Sequence, residues 1–212
     1  MSVTTTELKR DAELNLSTLE VGKVSDGGYT EFDSAGKLIM YGDATVHNII
    51  DVPASAIRLD TTTYPTWTAY KGGQVLAFGG VDDELIYFNV IMPSDYKEGS
   101  KINFHIHCTG DVDSAGNVAW NFSYSFANIG SAFAAATTVG VSSAMAGNAD
   151  QHEVHEIFDV IGSGKEIDSV MICSLMREGR AAGDTYSGNV FVTNVAFYYE
   201  CDTLGADEEF VK

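Results

Sequence analysis

Two neighbouring stretches of this chain alternate strictly between apolar and polar positions. In Lys101–Cys108 the apolar set is Ile102, Phe104, Ile106 and Cys108, and the intervening positions are Asn103, His105 and His107. In Asn117–Ala127, Val118, Trp120, Phe122, Tyr124 and Phe126 alternate with Ala119, Asn121, Ser123 and Ser125. A period of two places successive side chains on opposite sides, so both stretches are predicted as β-strands with one buried face. Lys37–Tyr41 and Ala44–Asp51 are shorter strand candidates. Glu84–Met92 is apolar on both faces and is expected to be covered on both sides, and Asp168–Arg177, with Val170, Met171, Ile172, Cys173, Leu175 and Met176, reads as another buried strand. Asn189–Glu200 closes the series, with Phe191, Val195, Phe197 and Tyr199 on one face and Val190, Val192, Ala196 and Tyr198 on the other.

Turn residues punctuate these runs. Asp-Ser-Ala-Gly occurs twice, at Asp33–Gly36 and Asp113–Gly116, each time leading into a predicted strand. Asp and Ser bond their own backbone and Gly tolerates positive φ, so both are read as turns, the second as a hairpin. Val52–Gly73, with Pro53, Pro65 and Gly72–Gly73, reads as a loop. So does Glu178–Gly188, expected to be mobile. Ser131–Asp150 is small and polar, either a long loop or a weak strand over Ala136–Ser142. Residues 1–36 are rich in Thr, Asp and Glu with scattered apolar positions. They read as an extended arm or attachment segment, with a weak helical pattern over Leu8–Leu19, or as a locally packed strand. The expected architecture is therefore an N-terminal arm, 1–36, and an all-β antiparallel sandwich of jelly-roll type, 37–212.

Composition narrows the function. Thirty acidic against twelve basic residues give a net charge of -18. Such a surface repels phosphate backbones, which argues against direct nucleic-acid binding, and keeps concentrated copies apart. No apolar run approaches the roughly 20 residues of a membrane span. The start of the chain lacks the apolar core of a secretory signal. Cys108, Cys173 and Cys201 are odd in number and far apart. No C-x-x-C pair exists; Cys108 and Cys173, inside apolar runs, read as buried free thiols, and synthesis in a reducing cytoplasm fits best.

Candidate chemistry is sparse. His105 and His107 share a strand face, as two metal ligands would, with His152, His155, Glu153 or Glu156 as conceivable partners. No Glu follows His107 at short spacing, and a hydrogen-bonding role on a half-buried sheet competes. His47 stands alone. Asp111–Gly116 begins like a calcium loop but has Phe122 where the twelfth-position Glu belongs. Glu153, Glu156 and Asp159 have no spacing that pairs them as glycosidase acids. Gly162-Ser163-Gly164-Lys165 lacks the spacing of a phosphate loop and reads as a turn. Tyr29, Tyr64, Trp67 and Tyr70 fall in loop-like segments and offer stacking faces to a sugar or a partner, although packing is the plainer role. No catalytic, metal or cofactor set emerges, and a non-enzymatic role is expected.

The motif order resembles a family of tailed-bacteriophage virion structural proteins. The resemblance rests on Gly42-Asp43-Ala44-Thr45-Val46, Glu84-Leu85-Ile86-Tyr87-Phe88 and Met92–Ser100. It continues through His105-Ile106-His107, Asn117–Trp120, Tyr124–Asn128, Gly162–Lys165 and Tyr198–Gly205. It covers residues 36–212; His47 stands where family members often carry Trp. The resemblance implies a virion component made in the host cytoplasm and brings no catalytic residues. The leading expectation is a capsid decoration (cement) protein, a homotrimer bridging copies of the major capsid protein or another virion protein. The runner-up is a head-fibre, neck or tail-tip protein binding host surface carbohydrate. A cupin-like metalloenzyme using His105 and His107 comes third.

Overall fold

A computed structural model describes residues 19–23, 25, 27–206 and 208–210. The predicted helical stretch Leu8–Leu19 lies outside them except for Leu19, which begins a strand. The chain divides into two compact units, residues 1–45 and 46–212.

In the first unit, β1 (Leu19–Lys23), β2 (Gly28–Phe32) and β3 (Leu38–Gly42) form an antiparallel sheet in that order. The first Asp-Ser-Ala-Gly turn joins β2 to β3. Asp33 Oδ1 accepts the amides of Ala35 and Lys37, both at 2.9 Å. Gly36 takes φ 80°, a conformation disfavoured for other residues. The boundary expected at 36/37 thus falls at the end of this hairpin turn, and Leu38–Gly42 pairs with β2.

The second unit is an antiparallel β-sandwich. One sheet has the order β11-β10-β13-β8-β5, and the other β12-β9-β14-β7-β6, with β4 also paired to β14. The strands are β4 (Val46–Pro53), β5 (Arg58–Leu59), β6 (Thr66–Tyr70), β7 (Gly73–Phe78), β8 (Asp83–Ile91), β9 (Ile102–Gly110) and β10 (Ala115–Ala127). They continue with β11 (Thr137–Ala146), β12 (Glu153–Val160), β13 (Val170–Glu178) and β14 (Val190–Cys201). Strands β7 to β14 have the β8-β13-β10-β11 and β7-β14-β9-β12 arrangement of an eight-stranded jelly roll.

The two alternating stretches lie in opposite sheets. Their apolar faces meet: Phe104 of β9 stacks on Phe122 of β10 at 4.2 Å between ring centroids, and on Phe197 of β14 at 4.8 Å. Phe88 of β8 completes the cluster. Asp111–Gly116 is accordingly an arch between the sheets and not a hairpin. Gly116 serves it by close approach, since a Cβ there would meet the Tyr186 backbone at 2.7 Å. The carboxylates of this arch face protein: Asp111 accepts from Asn189, and Asp113 from the Ala149 amide.

Several elements depart from the sequence pattern. Val52–Gly73 is not one loop, because it holds the end of β4, a single 3-10 turn (Ala54–Ala56), β5 and β6. The β6–β7 hairpin turns on Lys71 and Gly72, both at positive φ. Strand β8 is covered on one face only: Ile86, Phe88 and Val90 are buried, whereas Tyr87, Asn89 and Ile91 are exposed. In β14 a register shift between Val192 and Asn194 moves the inward face from even to odd numbers. Val190, Val192, Val195, Phe197 and Tyr199 all point into the core as a result. The loop after β13 is tethered by Tyr186, which is 1% exposed.

Candidate functional site

The histidines separate according to strand face. His105 and His107 lie on the outer face of β9, as alternation requires. His155 of β12 pairs with Ile106 and points into the sandwich. There Trp120 Nε1–H donates to His155 Nδ1 at 2.9 Å. His155 is 3% exposed, and burial lowers its pKa to about 4, so it is neutral at physiological pH. His107 Nδ1 lies 3.1 Å from His152 Nε2. The two rings are within 15° of parallel with centroids 5.3 Å apart. That separation exceeds the N···N distance by roughly two ring radii, so the nitrogens face each other in line. One nitrogen donates and the other accepts, so the pair shares one proton. His105 packs against Tyr198 at 4.7 Å and lies 3.9 Å from Glu156. Burial is the main cause of the lowered pKa of both His105 and His107, and His152 and His105 add to it at His107. Among the described residues no group of three or more His, Cys, Asp or Glu is arranged to hold a metal.

Two of the three acids of β12 are committed as well. Both carboxylate oxygens of Glu153 accept the Ala146 amide at 3.1 Å. Asp159 accepts from Asn103 at 2.5 Å and Lys101 at 3.2 Å. Glu156 projects into solvent beside His105.

Tyr64, Trp67 and Tyr70 do not form one platform. Trp67 and Tyr70 belong to β6, three residues apart, and therefore point to opposite faces of the sheet. Tyr70 packs edge-on against Phe191 at 5.2 Å. Trp67 pairs with buried Leu76 and keeps 39% of its surface exposed at the sheet edge. Tyr64 sits elsewhere, in a shallow depression of about 290 Å³ with Thr62, Thr63, Asp82, Glu84 and Arg180. Tyr29, also expected in a loop, is in β2 and stacks on Tyr41 at 4.5 Å.

The feature that sequence reasoning missed is the outer face of β8, β13, β10 and β11. One register row crosses all four strands: Tyr87, Ser174, Ser123 and Thr138. Tyr87 is 38% exposed and Ile172, on the neighbouring row, 45%. A trough of about 170 Å³ is lined by Tyr87, Ser174, Ser123 and Ile172, with Ser125 and Ala136 completing it. Tyr87 Oη donates to Asp60 Oδ1 at 3.1 Å. Asp60 Oδ2 is held by the amides of Thr62 and Thr63, which keep its carboxyl well below the usual range. The available signal was the alternation of Leu85, Tyr87 and Asn89 with Ile86, Phe88 and Val90. The high apolar content of β8 concealed it.

Behind this sheet lies a buried ion pair. Arg177 and Asp184 have 0% and 1% side-chain exposure, and the pair is bidentate at 2.8 and 2.9 Å. The remaining guanidinium N–H groups donate to the carbonyls of Phe78, Gly188 and Tyr186. All five donors are thereby used.

No protein-family model matches the sequence, and comparison with curated proteins finds no match either. Solved structures do show distant likeness. A cycloisomaltooligosaccharide glucanotransferase from Paenibacillus sp. matches at 13% identity and TM-score 0.40, over 69% of this chain and 18% of its own. A xylan-binding domain from Paenibacillus barcinonensis matches at 10% identity and TM-score 0.43, over 76% of this chain and 99% of its own. A family 11 carbohydrate-binding module from Clostridium thermocellum, in complex with a mixed-linked tetrasaccharide, matches at 14% identity and TM-score 0.35, over 76% and 91%. The chain thus spans about a fifth of the glucanotransferase and nearly all of the binding domains. Likeness at this level assigns neither ligand nor activity.

Proposed function

We propose that this chain is a non-enzymatic structural protein of tailed-bacteriophage virions that decorates the outer capsid. The observation that carries the reading is the division into a small three-stranded unit, residues 1–45, and a jelly-roll unit, 46–212. Two units allow attachment and display to be separate tasks. The sequence resemblance over residues 36–212 supports the virion assignment. The commitments of the candidate groups support a non-catalytic role: His155 to Trp120, His107 to His152, and Asp159 to Asn103 and Lys101. In this reading the N-terminal unit binds the shell and a homotrimer multiplies a modest single-site affinity. The net charge of -18 keeps decorated particles apart.

Co-sedimentation tests it. The full chain and a chain lacking residues 2–45 are each mixed with capsids of the encoding phage, assembled without this protein. The full chain is expected to pellet with the capsids and the shortened chain to stay in solution. Equal pelleting would remove the anchoring role from the N-terminal unit. Failure of the full chain to pellet would overturn the decoration reading.

A further inference from the structure

We infer that the outer face of β8, β13, β10 and β11 is a binding site for a neutral, hydroxyl-rich polysaccharide. Four observations converge on this class of ligand. The first is charge. The chain carries 30 acidic residues, yet the outward positions of β8 and β13 hold carboxylates only at one end, where Asp83 pairs with Glu178. Arg58, the partner of Tyr87 on β5, and Asp60, which accepts from the Tyr87 hydroxyl, add charge at the β8 edge, so the neutral part of the face is the row of Ser174, Ser123 and Thr138, which suits an uncharged partner.

The second is the hydroxyl row. Ser174, Ser123 and Thr138 stand side by side on adjacent strands, and the row from Tyr87 to Thr138 spans about 14 Å at the usual strand spacing. Ser123 and Thr138 share a 2.7 Å hydrogen bond, which leaves acceptor capacity on both oxygens. The third is the apolar surface beside them. The ring of Tyr87 and the side chain of Ile172 offer a surface to the C–H faces of a sugar ring. The fourth is preorganisation. The Tyr87–Asp60 bond, itself braced by Thr62 and Thr63, fixes the ring before a ligand arrives and lowers the ordering cost of binding. The trough is open and shallow, which suits an extended chain lying across strands.

Affinity electrophoresis of the full chain tests this, in gels containing soluble mannan, xylan or mixed-linked β-glucan. Retardation by at least one polysaccharide is expected. Tyr87→Ala should weaken it about tenfold, whereas Tyr87→Phe should keep most of it. Ile172→Asp, at an exposed position, should abolish it with an unchanged melting curve, and Trp67→Ala should leave it intact. The inference is overturned by the absence of retardation in all three gels, or by retardation that survives both Tyr87→Ala and Ile172→Asp. It is also overturned if sedimentation shows that Ile172→Asp dissociates an oligomer, because the face would then be a contact between copies of this chain.

Discussion

Single residues decide much of the pH behaviour. Burial lowers the pKa of His155 from an ordinary 6.5 to about 4. Between these values the unfolded chain binds a proton that the native chain refuses. Stability therefore falls as pH drops through that window and levels off below it. At about 1.4 kcal/mol per unit, the loss amounts to roughly 3 kcal/mol. His105 and His107 are lowered as well and act in the same direction. Urea melts from neutrality to about pH 4 should show this slope. His155→Leu should flatten most of it. The same variant should cost about 1–3 kcal/mol at neutral pH, because Trp120 Nε1–H loses its buried acceptor. An unchanged slope would mean that His155 is not the principal sensor. Little of this was visible beforehand: the sequence offered His155 only as a metal partner for His105 and His107, since nothing local says which face of β12 turns inward.

Individual strands explain which parts of the fold could be read and which could not. Strands β9 and β10 were plain because large apolar residues alternate with small or polar ones over their full length. Strand β12 was obscured by a register shift between Glu156 and Phe158, which breaks the period of two. Strand β6 was hidden by Pro65 before it and by a Lys71-Gly72 turn after it that resembles loop sequence. Strand β13 gives the clearest test of one-sided burial. Met171 is fully buried and Ile172 is 45% exposed. Met171→Asp should prevent folding, whereas Ile172→Asp should change stability by no more than about 0.5 kcal/mol in thermal melts. Similar losses at both positions would show that the outer face is covered. The loop after β13 rests on Asp184. Asp184→Asn leaves the Arg177 charge uncompensated in the core and should cost about 3–5 kcal/mol. A loss below about 1 kcal/mol would mean that solvent reaches the guanidinium.

At the scale of the molecule, the sandwich class followed from periodicity, but the pairing of strands did not. Periodicity reports which face is buried and is silent on which strand lies alongside. The functional face was missed for the same reason: two outward rows on different strands become one surface only through register. The boundary between units was also displaced, because the composition of residues 1–36 resembles an arm even though β2 and β3 form a regular hairpin. The Arg177 network has a kinetic consequence. Its partners come from β7 and from the loop between β13 and β14. Asp184 also accepts the Ala119 amide of β10. Arg177 and Asp184 are close in sequence, but the Phe78 carbonyl and the Ala119 amide reach the pair only when β7 and β10 are in place, so the pair is enclosed late, beyond the folding barrier. Asp184→Asn should therefore speed unfolding while leaving the refolding rate nearly unchanged in stopped-flow chevrons. The buried pair acts as a latch on the finished jelly roll, lengthening the lifetime of the native state more than it hastens arrival there.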